Sequence, residues 1–146
     1  GIGWPSPDAA QHLIRAHHLQ PSDRYLAAII RSTQAALGAN PENLVYTTGL
    51  GSRSPQNPLI IDQHIRGVDP PAGITVFGPL DLSREFYQDY WFTHYQMPEQ
   101  MFPAPSDWPT MELHIDVYSN VAMSEFTVHQ TIGPAAYAWG YLAALE

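Results

Sequence analysis

The stretch QPSDRYLAAIIRSTQAALG, residues 20–38, predicts the helical character of this chain. Ser22 can cap a helix that begins at Asp23, whose carboxylate favours the positive end of the helix dipole. Inward-facing positions then recur every three or four residues, as on one buried face of a helix. They are Leu26, Ile29, Ile30, Thr33 and Leu37. Gly38 suits a left-handed exit, so we expect a helix from Asp23 to about Leu37.

A second helix is expected immediately before this one. Ser6 suits the capping position, Pro7 the first helical position and Asp8 the first turn. The apolar side of this helix is formed by Ala9, Leu13, Ala16 and, less regularly, Ile14. The sequence QPSD, residues 20–23, ends the first helix and caps the next, so the two predict a helical hairpin.

Residues 39–82 predict a long loop, because glycines and prolines interleave there without a sustained period. Within it, ITVF at residues 74–77 is long enough only for a brief strand pairing. The 14 prolines of the chain make such loops stiff,. Loops beyond ~12–15 residues are uncommon and usually belong to binding or catalytic sites.

The second half of the chain predicts two more helices separated by another proline-rich loop. The first covers residues 83–96, and the last runs from about Glu125 or Thr127 to Leu145, interrupted near Gly133 and Pro134,. The fold class is therefore all-α. Four helices with such long loops make a poor independent fold, and the final helix has a broad apolar band, so we expect the chain to be part of something larger.

Composition excludes several classes of function. The 146 residues carry a net charge of −8 with only 6 Lys plus Arg, which would repel a nucleic acid backbone,. The chain has no cysteine, so disulfides and thiolate metal sites are absent,. No run is long enough to span a bilayer and none is typical of a signal peptide, which predicts a soluble chain without a membrane partner.

The first candidates for chemistry are acids near the end of the chain, Glu112, Asp116 and Glu125. A carboxylic acid donates a proton near neutral pH when an apolar setting favours its protonated form, and Glu125 has Met123 and Phe126 beside it. The spacing alone favours the other interpretation, an exposed first-turn acid that the helix dipole stabilises. Both interpretations remain open at this point.

The histidines favour hydrogen bonding over metal binding. None of the seven falls in the His-x-x-x-His spacing with an adjacent Glu that a helical zinc site needs, so no metal site is predicted,. His64 and Arg66, in DQHIRG, can donate hydrogen bonds to a hydroxyl-rich ligand. A capped surface turn is the alternative.

Aromatic residues in loops are the remaining candidates. Aromatic side chains at helical spacing usually belong to the core, whereas Trp4, Tyr46 and Trp108 lie in predicted loops. Rings in loops are more often ligand contacts and offer flat faces for stacking on sugar rings.

Two longer segments resemble a known family. LGANPENLVYTTGLGSRSPQNP, residues 37–58, and DVYSNVAMSEFTVHQTIGPAAYAWGYLAAL, residues 116–145, resemble the loop and closing segments of glycoside hydrolase family 9. The resemblance covers nearly all of residues 1–146 but only the C-terminal part of one catalytic domain. It implies a portion of an (α/α) toroid of six helical hairpins, with the active-site cleft formed by loops at one end.

The resemblance also implies an activity, hydrolysis of β-linked glucans, mostly β-1,4, with inversion. Glu125 would be the general acid, Asp116 could orient the acid or the substrate, and His64, Arg66, Tyr46, Trp108 and Trp4 would contact sugar. No cofactor is required, bound calcium stays an open question, and location would be secreted or periplasmic. The expected partners are a β-glucan and the N-terminal part of the same domain.

Two departures from the family pattern leave alternatives open. The Asp-Ala-Gly-Asp motif of the catalytic base is missing, so this chain alone should not complete the reaction. Leu59, Ile60 and Ile61 follow Pro58 where relatives commonly have His-His-Arg, and His64 and Arg66 are possible displaced substitutes. The alternative functions are a catalytically silent glycan-binding module and a helical scaffold.

Overall fold

The computed structural model describes residues 5–80, 101–104, 107–109 and 112–145. The helix expected over residues 83–96 and the candidate Trp4 lie outside these residues.

The predicted helical hairpin is confirmed. Helix α1 covers Pro5–Leu19 and α2 covers Asp23–Gln34. The Tyr25 N–H donates to the Ser22 hydroxyl oxygen at 3.3 Å, which is the expected cap,. Helix α2 ends three residues before the predicted Leu37, because Leu37 pairs with Val45 in an isolated antiparallel bridge and leaves the helix.

The buried face of α1 agrees in part with the predicted one, since Ile14 is buried and Leu13 packs against the same cluster. Ala10 and Ile14 are fully buried, whereas Ala9 is exposed. Ala10, Ile14 and His17 follow one another at four- and three-residue spacing, so they lie on one face of the helix. The Nδ1 atom of His17 lies 2.6 Å from the Tyr141 hydroxyl, which ties this face to the last helix.

The long loop contains a helix that its sequence did not predict. Helix α3 covers Ile61–Arg66 and ends at Gly67, whose φ of 60° is the left-handed conformation that closes a helix,. Six residues are too few to reveal a helical period, so the prediction of a loop over this stretch was wrong. The brief strand pairing was correct: Thr75 forms an isolated antiparallel bridge with Thr47.

The end of the chain is built from three short consecutive helices. Helix α4 covers Val121–Ser124, a π-helix covers Val128–Ile132 and α5 covers Gly133–Ala143. The Thr127 side chain caps the π-helix by accepting from the Gln130 N–H at 3.1 Å. The predicted interruption near Gly133 and Pro134 is confirmed, since the backbone changes there from π- to α-helical bonding.

The core consists of separate apolar clusters. Ala10, Ile14, Ile29 and Ala138 join α1, α2 and α5. Leu80, Leu113, Ala122 and Met123 pack under the loops, and a third cluster contains Leu44, Tyr46 and Val76. The loop segments therefore have apolar clusters of their own, separate from the cluster that joins the helices. No helix among the described residues is long and apolar enough to cross a membrane.

Candidate functional site

Asn40 fixes the corner at which the chain turns from α2 into the loop. Its amide nitrogen donates to the carbonyl oxygens of Ala35 at 2.6 Å and Leu44 at 2.8 Å. Its amide oxygen accepts from the N–H groups of Glu42 and Leu44, both at 3.2 Å. One side chain thus satisfies four backbone groups that a helix end and a tight turn leave without partners. The corner is rigid, and Pro41 fits it because proline has no backbone N–H that would need an acceptor.

Asp116 holds the Pro-Gln-Asn-Pro segment of the loop, residues 55–58. Its two carboxylate oxygens accept from the backbone N–H groups of Gln56 at 2.7 Å and Asn57 at 3.0 Å. The Asn57 amide returns a hydrogen bond to the Asp116 carbonyl oxygen at 3.1 Å. Charge-assisted bonds of this kind are among the stronger hydrogen bonds in proteins. Asp116, a predicted catalytic residue, therefore positions the loop by binding the loop's backbone N–H groups.

Glu125 occupies the end of α4, at the edge of the same loop. Its N–H donates to the Val121 carbonyl oxygen at 2.8 Å, and its own carbonyl oxygen accepts from the Phe77 N–H at 2.9 Å. The side chain is half-buried. Glu125 has an extended backbone and precedes Thr127, the cap of the π-helix. It therefore lies outside the first turn of the terminal helix, where the alternative interpretation had placed it.

His64 and Arg66 lie on α3, where both side chains are exposed. The His64 ring stacks on the ring of Tyr118, with centroids 3.7 Å apart and an interplanar angle of 24°. Tyr118 was not among the predicted site residues, and no local pattern marks it. The stack connects α3 to the segment that carries Asp116 and Glu125.

Two of the aromatic residues predicted to contact sugar, Tyr46 and Trp108, pack against apolar core clusters. Tyr46 is only 1% exposed and belongs to the third core cluster, so its faces are not available for stacking on a sugar. Its prediction as a substrate contact was based on loop sequence, but this part of the loop is buried. Trp108 is half-buried, packs against the cluster around Met123, and donates from its indole N–H to the Pro103 carbonyl oxygen at 3.0 Å.

A partly buried polar cluster formed by Glu42, Tyr46 and His114 was missed by the sequence reasoning. The Tyr46 hydroxyl donates to Glu42 Oε2 at 2.9 Å, and the His114 N–H donates to Glu42 Oε1 at 3.3 Å. The rings of Tyr46 and His114 meet edge to face, 5.4 Å between centroids. Residues 42 and 114 are far apart in sequence, so only the fold reveals their contact.

Burial shifts the acid–base properties of this group. It raises the pKa of Glu42, although the Tyr46 hydrogen bond opposes the shift. It also raises the pKa of the Tyr46 hydroxyl, with the nearby Glu42 charge acting in the same direction. It lowers the pKa of His114 to about 4, against the weaker opposing effect of Asp116. All three shifts favour the uncharged forms, as expected for groups removed from water.

The fold of this chain is similar to that of solved structures, one of which is a glycoside hydrolase. A metagenome-derived glycoside hydrolase family 9 endoglucanase is 28% identical, with a TM-score of 0.68 over 93% of this chain. The chain has the fold of a family 9 segment. AaCel9A, solved in complex with cellobiose-like isofagomine, is 24% identical with a TM-score of 0.70, again over 93% of this chain, which supports the fold alone. No family model and no curated protein sequence matches the chain.

This chain matches only part of the length of the solved structures. The chain covers 21% of the endoglucanase and 24% of AaCel9A. It thus spans between a fifth and a quarter of the solved structures that it matches. The family resemblance of residues 37–58 and 116–145 is confirmed at the level of fold, and so is the assignment to part of an all-α toroid.

Proposed function

We propose that this chain supplies the general acid and part of the substrate groove of an inverting hydrolase of β-linked glucans, with β-1,4 linkages as the main substrate. The observation that carries the proposal is the placement of Glu125. Glu125 is half-buried, its backbone is fixed on both sides, and it lies at the edge of a stiff loop. The similarity to a family 9 endoglucanase supports the same function.

In the proposed reaction, Glu125 gives its proton to the glycosidic oxygen as the bond from that oxygen to the sugar carbon breaks. Water attacks the same carbon from the opposite face and transfers a proton to a carboxylate base, so the configuration inverts. The two carboxyl groups of inverting glycosidases are ~6.5–9.5 Å apart, which leaves room for this water. We assign the base to an Asp-Ala-Gly-Asp motif elsewhere in the catalytic domain.

A general acid is effective only when it is held at the oxygen that it protonates. Three backbone hydrogen bonds hold the neighbourhood of Glu125: to Val121, from Phe77, and from Leu59 to the Ser124 carbonyl oxygen at 2.9 Å. Asp116 fixes the loop that precedes Leu59. In this proposal Asp116 is a positioning residue, which refines its predicted catalytic role.

The remaining assignments follow from the same proposal. His64 and Arg66, exposed on α3, would contact sugar hydroxyls, and the exposed part of Trp108 would contact a ring face. The partners would be a β-glucan and the rest of the catalytic domain. The reaction needs no cofactor, and the enzyme would be secreted or periplasmic.

The test is Glu125→Gln in the complete catalytic domain. We expect turnover of β-1,4-glucan to fall at least ~10²-fold with little change in binding, because an amide cannot donate the proton. Hydrolysis of a dinitrophenyl β-glucoside should fall much less, since its leaving group needs no protonation. Glu112→Gln removes a half-buried acid from the same region and should leave both rates unchanged.

Full glucanase activity in Glu125→Gln would overturn the proposal. An equal loss on the natural and the activated substrate would also contradict it, because a general acid must discriminate between leaving groups. A wild-type domain that binds β-glucan and shows no turnover of either substrate would instead support the silent glycan-binding module.

A further inference from the structure

A polar cavity of about 490 Å³ lies between the loop that follows the Asn40 corner and residues 114–116. Glu125 does not line it. We propose that this cavity is a second carbohydrate site, which binds a hexose unit of a neutral glucan apart from the site of bond cleavage. Its volume lies within the ~300–1,000 Å³ range of ligand pockets. The choice of a glucan rests on the proposed function.

The chemistry of the lining suits hydroxyl groups. The lining combines carboxylates that accept hydrogen bonds with side chains that donate them and with hydroxyls that do both. The polar members are Glu42, Ser52, Arg53, Ser54, Gln56 and Asp116. A sugar hydroxyl is itself both donor and acceptor, so it matches such a mixed lining. Each oxygen of Glu42 and Asp116 accepts one hydrogen bond from the protein and has a second lone pair for a ligand,.

The charges of the lining disfavour ionic ligands. Glu42 and Asp116 repel an anion, and the Arg53 guanidinium offsets one of the two negative charges that would attract a cation,. In the part of the chain that the structure describes, no three His, Asp or Glu side chains gather as metal ligands. A neutral, hydroxyl-rich molecule is therefore the class of ligand that the lining favours.

The loop that forms the cavity is already ordered by its own contacts. The Arg53 guanidinium donates to the Glu42 carbonyl oxygen at 2.7 Å, and the Arg53 carbonyl oxygen accepts from the Val45 N–H at 3.0 Å. Gly51 lies so close to Val45 that an added Cβ would be 2.8 Å from Val45 Cγ2. A loop that is ordered before binding loses little entropy when the ligand arrives.

His114 provides a reporter in the cavity wall. It lines the cavity, and both of its ring nitrogens are buried without a hydrogen-bond partner among the described residues. Buried polar atoms without partners are rare in folded proteins and often mark a site that a water or ligand completes. A ligand in the cavity should therefore change the NMR signals of the His114 ring.

The experiment is a titration of the complete catalytic domain, labelled with ¹³C-histidine, with cellobiose and cellotetraose. The His114 signal is assigned by its loss in His114→Phe, and all titrations use the Glu125→Gln background to prevent hydrolysis. We expect a saturable shift of the His114 signal. Ser52→Trp places a large side chain in the cavity from an exposed position and should weaken this binding by at least ~tenfold, whereas Gln34→Trp adds the same side chain at an exposed position of α2 that does not line the cavity and should preserve it,.

The outcomes separate this proposal from the proposed function. No shift with either sugar, or an equal shift in Ser52→Trp, would overturn the second site even if Glu125→Gln abolishes turnover. Conversely, a shift that depends on residue 52 would support the site even if Glu125→Gln remained active. A shift produced equally by glycerol at the same hydroxyl concentration would show a non-specific solvent effect and would also overturn it.

Discussion

The Leu59 N–H donates to the Ser124 carbonyl oxygen at 2.9 Å, so the end of the Pro-Gln-Asn-Pro loop is bonded to the residue that precedes Glu125. Asp116 holds the same loop two and three residues earlier, through Asn57 and Gln56. The loop and the acid-bearing segment are therefore one structural unit. Changes in the loop should alter the placement of Glu125 without touching its side chain.

Asp116→Ala tests this unit. It leaves the Gln56 and Asn57 N–H groups without their carboxylate, and we expect a loss of ~1–3 kcal/mol in the free energy of unfolding. In the complete domain kcat should fall more than KM changes, because the acid is displaced. Denaturant titration and steady-state kinetics measure the two effects. Asp69→Ala, at an exposed position, is the control, and an equal effect there would contradict the assignment.

Asn40→Ala should destabilise the corner strongly. The variant loses four hydrogen bonds to backbone groups, and at roughly 0.5–1.5 kcal/mol each we expect a loss of ~2–6 kcal/mol in the free energy of unfolding,. Asn40→Asp keeps the acceptor and loses the donor, so its unfolding free energy should lie between those of Asn40→Ala and the wild type. An Asp variant as unstable as the Ala variant would show that repulsion between the carboxylate and the carbonyl oxygens of Ala35 and Leu44 cancels the contribution of the retained acceptor. Gln34→Ala, at an exposed position in α2, should change little.

The stability of the protein should fall on mild acidification because of His114. Its pKa is about 4 in the folded protein and ordinarily 6.5, so the unfolded chain gains a proton first as the pH falls. The stabilising contribution is complete above pH 6.5 and is lost between pH 6.5 and about 4. At about 1.4 kcal/mol per pH unit, the loss is roughly 3 kcal/mol.

Glu42 acts in the opposite direction, because its raised pKa makes the folded form the tighter proton binder. Its contribution is present at low pH and is lost as the pH rises above 4.5. His114→Phe should therefore flatten the pH dependence of the unfolding free energy between pH 4 and 6.5. His12→Phe, on the exposed side of α1, should leave it unchanged. An unchanged slope in His114→Phe would contradict the assignment.

Two glycines that share a left-handed backbone should differ in their tolerance of alanine. Gly51 has φ 69° and its added Cβ would meet Val45 at 2.8 Å, whereas Gly67 has φ 60° and nothing within 4 Å. Gly67→Ala should cost only the backbone penalty of ~1–2 kcal/mol. Gly51→Ala should lower the thermal midpoint further, because Val45 or the loop must also move. Equal midpoints would show that the loop yields without cost.

Ile14 is the test of the helical core. It is fully buried among Ala10, Ile29 and Ala138, so Ile14→Ala should cost ~2–5 kcal/mol,. Ile65→Ala removes the same atoms from a position that is 77% exposed and should cost little. Thermal unfolding of the two variants gives the comparison. A small effect at Ile14 would mean that the α1–α2–α5 cluster is not the main core.

The helical hairpin could be predicted from sequence because its signals are local. Ser22 and Asp23 mark the start of α2, and the spacing of Ile29 and Thr33 marks its buried face,. Helix α3 could not be predicted, because six residues hold less than two turns. On α1 the prediction was right for Leu13 and Ile14 but named Ala9 where Ala10 is buried, because two adjacent alanines give no local signal for which of them faces the core.

The sequence indicated candidate site residues only where the signal lies in neighbouring residues or in a family motif. The position of Glu125 followed from its neighbours and from the family resemblance. The burial of Tyr46 and its contact with Glu42 and His114 depend on how the loop folds back on residues 112–117, and no local pattern contains that information. Long-range contacts of this kind need the fold itself.

The π-helix at Val128–Ile132 sets the rotational phase between Glu125 and the last helix. Each residue advances an α-helix by about 100° around its axis. Deleting one residue from this stretch would therefore turn α5 by that angle and carry Ala135 and Ala138 out of the core, unless the whole end of the chain moved with it. The number of residues between Glu125 and the buried face of α5 is therefore fixed by the π-helix. We expect insertions and deletions among related sequences to fall outside this stretch.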